Sequence, residues 1–191
     1  MIGSLPDSLV IAGKRYAIRS DFRNFLRIIE VFNDSELSNE EKVYVFLKRV
    51  YVEFNSIPKQ HYEEAYKRAS EFMEWQKNDN KKHNPRLYDW EKDEQLIFPA
   101  VNKAAGMEIR ALPYLHWWTF LGYFQSIDPE SLWGTVLSIR QKRAKGKKLE
   151  KWEREFYNGN RELCQIVRTE VRKTAEDTLQ DIFKSLLEEG D

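Results

Sequence analysis

Apolar positions gather in short β-rich runs over the first twenty residues, and from Asp21 onward they recur every three to four. "SLVIA" and "RYAIR" are short β-rich runs separated by "GK", with Gly13 free to take positive φ. Together they predict a β-hairpin over about residues 5–19. A lone hairpin is marginal in water, so it is expected to lie against helices. Phe22, Phe25, Leu26 and Ile29 then fall at i, i+3, i+4 and i+7, behind Ser20 or Asp21 as N-cap.

The helical period continues. "SNEE" spaces Ser38 and Glu41 as a capping box, and Val43, Phe46, Leu47 and Val50 repeat the stripe behind it. Past Pro58, one face carries Tyr62, Ala65, Tyr66, Ala69, Phe72 and Met73. Gln76 to Arg86 is polar and reads as an exposed loop. "YDWEKDEQLIFPAVNKAAG" predicts a helix that stops at Gly106 and kinks at Pro99, which has no N–H to donate. A further helix is expected from near Pro113. In "DPESLWGTVLSIR", Asp128 reads as an N-cap with Pro129 at the first helical position. Leu149 to Glu189 is helix-prone, with a softer break at "YNGN" and an apolar stripe through Leu163, Ile166 and Val167, then Leu179, Ile182, Phe183 and Leu186. The pattern predicts a mainly α protein: a compact helical domain of about six to eight helices over residues 1–157, with the short hairpin at its start. Residues 158–191 are expected to form a C-terminal helical extension.

Composition narrows the class. Of 191 residues, 41% are hydrophobic and 32% charged, which suits a globular domain with a core and not a disordered chain. Lys+Arg and Asp+Glu both number 31, and this balance argues against a dedicated nucleic-acid binder. The N-terminus lacks the charged start and apolar run of a signal peptide, and no stretch reaches the ~18–20 uninterrupted apolar residues of a membrane helix. With a single cysteine, Cys164, no intrachain disulfide is possible. The expectation is a soluble cytoplasmic protein.

Candidate chemistry is sparse. His61, His83 and His116 have no metal-site spacing around them. His116 adjoins paired tryptophans, where a ring nitrogen bonded to backbone is the ordinary outcome. Cys164 reads as a small core residue. Asp89, Glu91, Asp93 and Glu94 sit in the first turns of a predicted helix, where the dipole favours negative charge. No Gly-rich phosphate loop or nucleophile elbow occurs. No cofactor, metal or catalytic residue is expected, and the chain does not read as an enzyme. The strongest charge feature is a basic segment, residues 140–154, with Arg140, Lys142, Arg143, Lys145, Lys147, Lys148 and Lys151. Such a run can neutralise phosphates. A solvated connector between helices fits it better, because aromatic residues are missing from it until Trp152.

"LPYLHWWTFLGYF", Leu112 to Phe124, holds six aromatic residues and no Lys or Arg. On a helical wheel Trp117, Phe120, Leu121 and Phe124 form one stripe, extended at its edge by Tyr114 and Trp118. A base-stacking platform would set such rings beside basic residues. A central core helix is the better reading, with edge rings emerging at a partner surface.

"LYDWEKDEQLIFPAVNKAAGMEIR", "LPYLHWWTFLGYF" and "VLSIRQKRAKGKKLEKWEREFY" together resemble the bacteriophage gene-product-fifteen family of siphophages and prophages. The start, "LPDSLVIAGKRYAIRSDFRNFL", is similar to that family's as well. The resemblance covers roughly residues 4 to 160. Members lie near the tape-measure gene in tail modules, so the resemblance implies a non-enzymatic tail-assembly chaperone. Its partner would be the tape-measure protein or another tail-module protein, with self-association as a further option. Tyr114, Trp118, Leu179, Ile182, Phe183 and Leu186 are the candidate contact residues, in a helix-in-groove mode. The alternatives are a structural virion component, such as a tail or connector subunit, and nucleic-acid binding through residues 140–154.

Overall fold

The computed structural model describes residues 3–75 and 87–165. Among them it contains the two-stranded hairpin and eight α-helices, within the six to eight that the periodicity predicts, and three short 3-10 turns besides. By internal packing these residues divide into two compact units. Residues 3–75 and 114–119 form the first, and residues 87–113 and 120–165 the second. The extension expected from residue 158 lies for the most part outside the described residues, as do the loop from Gln76 to Arg86 and the stripe Leu179, Ile182, Phe183 and Leu186.

In the first unit β1 (Ser8–Ile11) pairs antiparallel with β2 (Lys14–Ala17), Leu9 opposite Tyr16 and Ile11 opposite Lys14. The two-residue turn takes positive φ at both positions, 46° at Ala12 and 78° at Gly13, the conformation that matches strand twist. Gly13 meets it freely. Ala12 adopts it while its N–H donates to the Glu64 carboxylate at 3.1 Å. The hairpin does lie against helices. Ile18 bridges Tyr51, and the Val52 N–H donates to the Ala17 carbonyl at 3.0 Å.

Three helices complete this unit. α1 (Phe22–Asn33) is capped by Asp21, whose carboxylate accepts from the Arg23 N–H. It buries Phe22, Phe25 and Ile28, so the inner stripe includes Ile28, while Leu26 and Ile29 are only half-buried. α2 (Asn39–Val50) starts at the predicted capping box and buries Val43, Phe46, Leu47 and Val50. Arg19 holds its C-terminal end, the guanidinium donating to the Lys48 carbonyl at 3.0 Å and, just past the helix, to the Val52 carbonyl at 3.1 Å. α3 (Tyr62–Glu74) buries Ala65, Ala69 and Phe72, and the Ala65 carbonyl accepts the buried Tyr51 hydroxyl at 2.7 Å.

The second unit holds α4 (Glu94–Ala105), which runs through Pro99 and ends at Gly106 in the left-handed region, φ 69°. α5 (Trp117–Gln125) carries residues of both units. It begins four residues later than expected, because the chain before it is held extended. The Leu115 N–H donates to the Asp21 carboxylate at 3.0 Å, the Phe22 N–H to the Leu115 carbonyl at 2.9 Å, and the Trp117 N–H to the Ser20 carbonyl at 2.7 Å.

α6 (Leu132–Ala144) is capped by Ser131 and not by Asp128. Asp128 instead folds a turn, its carboxylate accepting from Glu130 N–H and its carbonyl from Ser131 N–H, with Pro129 at the turn's second position. α7 (Lys151–Gly159) and α8 (Arg161–Cys164) follow, broken at Asn160 as "YNGN" predicts. A cluster of Tyr88, Trp90, Phe120, Phe124 and Trp133 rings fills the space between these elements, with centroids 4.9–5.8 Å apart.

Candidate functional site

Trp118 does not vanish into the core. Its indole N–H donates to the Phe72 carbonyl at 2.8 Å, and its ring stacks on Phe72 with centroids 5.2 Å apart and planes 24° apart. Trp117, one residue earlier, faces inward; it is buried against Phe25 and donates to the Met73 carbonyl at 2.9 Å. Successive residues at a helix start point about 100° apart, so one indole closes the core while the other reaches its margin.

Beside Trp118 opens a groove of about 490 Å³. One wall is Pro6, Ser8, Leu9 and Val10 from β1 and the residues before it. The other is Arg68, Glu71 and Phe72 from α3, with Trp75 and Trp118. The volume falls within the roughly 300–1,000 Å³ of built binding clefts. Arg68 and Glu71 neutralise one another, N to O at 3.2 Å, so this wall carries no net charge. Trp75 stands at φ 55° and ψ −45°, outside the conformations an L residue ordinarily adopts. A backbone held there costs about 1–3 kcal/mol, a strain that gathers at sites which must present a side chain.

His116 fixes both walls from behind. Its Nδ1 accepts from the Trp118 backbone N–H at 3.1 Å, and its Nε2 lies 3.0 Å from the Pro6 carbonyl oxygen. An amide can only donate and a carbonyl can only accept, so the ring is neutral with its proton on Nε2. Burial pushes the imidazole below its ordinary pKa, with the Pro6 bond pulling the other way. The backbone-bonded reading of His116 is the arrangement found. Tyr114, the other predicted edge ring, is exposed and bonds Ser20 through its hydroxyl at 2.7 Å, but it does not line the groove.

The basic segment is dismantled by packing. Arg140, taken from sequence as a surface cation, is 4% exposed and pairs with Asp93. Lys142 donates to both oxygens of buried Glu153 at 2.7 and 2.9 Å, and the Arg143 guanidinium lies 4.3 Å from the Tyr157 ring centroid. Burial works against the ionised Glu153 carboxylate. The Lys142 ammonium and the Glu150 N–H outweigh it and hold the group below the usual carboxylate range. Lys145, Lys147, Lys148, Lys151 and Arg154 remain exposed, with no side-chain partner among the described residues. The acidic cluster resolves likewise: Asp89 closes a turn through the Glu91 and Lys92 N–H groups, and Asp93 is the buried half of the Arg140 pair. Cys164 is buried, which pushes its thiol up, and nearby Arg140 and Arg143 offset this only in part.

Sequence reasoning found Trp118 and missed its companions. Phe72 is a core residue by its period and is buried, and Leu9 and Val10 lie in the predicted hairpin; what the sequence does not show is that all three line one groove with Trp118. Val10, an apolar residue on the outward face of a strand, was the available signal. Trp75 left none, because it stands at the C-cap of α3, where the helical period ends.

No helix among the described residues is long and apolar enough to cross a membrane. The family model for "Bacteriophage Gp15 protein" matches residues 1–166. No curated protein and no solved structure matches the chain.

Proposed function

Since the chain belongs to the bacteriophage Gp15 family, we propose that it is a non-enzymatic tail-assembly factor, a chaperone that binds the tape-measure protein in the host cytoplasm. A tape-measure chain is long and partly apolar, and before assembly its hydrophobic surface is open to aggregation. A protein that covers such segments needs an apolar cleft more than a charged one. The observation that carries the reading is the groove at Trp118, walled largely by aromatic and aliphatic side chains, with Arg68 and Glu71 in its lining neutralising one another. Zero formal net charge fits a partner held by apolar burial and not by long-range attraction.

Co-expression with the tape-measure protein of the same phage tests it. The tape-measure protein should stay soluble and co-purify; unchanged aggregation without co-purification counts decisively against the role. Mass spectrometry of finished particles separates this from a tail or connector subunit, since a chaperone is absent from the virion.

A further inference from the structure

The two edges of the hairpin are treated differently. The outer edge of β2 is occupied at its C-terminal end, where the Val52 N–H donates to the Ala17 carbonyl at 3.0 Å and, just past the strand, the Arg19 N–H donates to the Val50 carbonyl at 2.8 Å. β2 also carries Lys14 and Arg15, charges that discourage further pairing. β1 is less guarded: its four residues, Ser-Leu-Val-Ile, are uncharged, no strand among the described residues pairs with its outer edge, and α3 meets that flank through Glu64, which accepts the Ala12 N–H just past the strand.

Register says which groups that edge presents. The Ile18 N–H donates to the Asp7 carbonyl at 2.9 Å, so Asp7 and Ile18 form a hydrogen-bonded pair. Such pairs recur every second residue in an antiparallel ladder, making Leu9–Tyr16 and Ile11–Lys14 the next two. Ser8 and Val10 therefore turn their N–H and C=O groups away from β2. The groove is lined by Ser8, Leu9 and Val10 in succession, residues from both faces of the strand, which places it along this edge. Val10 is 44% exposed.

We propose that β1 accepts an extended segment of a partner protein as a third strand, laid in the groove between β1 and α3. Its backbone pairs with Ser8 and Val10, as in other strand-addition complexes. Side chains alternate along such a segment, so every second one turns toward Phe72, Trp75 and Trp118 and is apolar or aromatic. The self-neutralised Arg68–Glu71 pair selects an uncharged segment. A helix could fill the same volume but would leave the edge groups of β1 unpaired. The proposal deepens the assembly reading and rests on it only for the source of the segment.

The test uses the full-length chain and a random library of 12-residue peptides, counter-selected on the Val10→Glu variant. The tightest peptide is remade with an N-methyl group at each backbone nitrogen in turn. Methylation at alternate positions should weaken binding tenfold or more and be tolerated at the positions between. Amide exchange at Val10 should slow when peptide is bound, while Leu9 and Ile11 are slow beforehand. Failure to select any peptide, sensitivity without a period of two, or unchanged Val10 exchange at saturation would overturn the proposal. So would Val10 protection that rises with protein concentration alone, which would mean that a second copy pairs the edge. If the tape-measure protein co-purifies while Val10 exchange stays fast, strand addition fails and the assembly role stands. An alternating pattern without tape-measure capture has the reverse meaning.

Discussion

Arg140 and Asp93 meet side-on, Nη1 to Oδ2 at 2.6 Å and Nη2 to Oδ1 at 2.8 Å, both sealed from solvent. The remaining guanidinium donors reach the carbonyls of Leu87 at 3.0 Å and Leu163 at 3.1 Å. One side chain thus ties α6 to the chain before α4 and to the end of α8. A planar fork with five donors can do this, and a lysine cannot. Arg140→Met leaves a carboxylate buried and unpaired, and urea denaturation should show a loss of about 3–5 kcal/mol. The double variant Arg140→Met/Asp93→Leu should recover part of it. Equal stability of wild type and single variant would mean that the pair is not formed.

The two predicted edge aromatics have separate fates. Trp118→Leu should reduce tape-measure capture about tenfold or more, as for a central interface ring. Tyr114→Phe should leave capture unchanged and cost only about 1 kcal/mol, through the lost bond to Ser20. Pull-down and thermal melts on both variants check the separation.

Acid should loosen the groove. The His116 pKa is lowered in the fold, so the protein binds fewer protons there than the unfolded chain does. That contribution is complete above the unfolded value of about 6.5 and is lost as pH falls from there toward the lower folded value. Protonation of Nδ1 removes the acceptor for the Trp118 N–H. Melting temperature should fall between pH 7 and 5 more steeply for wild type than for His116→Gln; parallel profiles would refute the assignment.

Phosphate binding is expected to be weak and unspecific. Arg140, Lys142 and Arg143 are engaged within the protein, which leaves four exposed lysines near Gly146 and the exposed Arg154. Reversing Lys147 and Lys148 to Glu should leave thermal stability within about 0.5 kcal/mol of wild type. DNA and RNA titrations should show no salt-dependent site to lose. A steep salt slope abolished by the reversal would restore the nucleic-acid reading.

Gly134 is needed for close approach. A Cβ there would lie 2.7 Å from the Asp128 carbonyl oxygen and would also strike the Pro129 carbonyl, both fixed backbone of the turn that leads into α6. Gly134→Ala should destabilise by about 1–3 kcal/mol, read by denaturant midpoint.

Local chemistry in the chain was enough to set the hairpin with Gly13, the capping box of Ser38 and Glu41, the stripe from Val43 to Val50, and the stop at Gly106. Each rests on contacts within a few residues, where periodicity and capping are decided. The start of α5 and the cap of α6 came out differently. Asp21 reaches across the sequence to hold Leu115 extended, and the turn at Asp128 satisfies its own backbone before the helix begins.

The sequence by itself determined that this is a helical protein with an aromatic heart, and its motifs placed it in its family. Tertiary structure decided which charges face water. Arg140 and Asp93 stand 47 residues apart, and no spacing rule links them. It also decided that Trp118 faces a groove whose other wall is β1. A groove is a relation between distant segments, created only when α3 and the hairpin come to lie side by side.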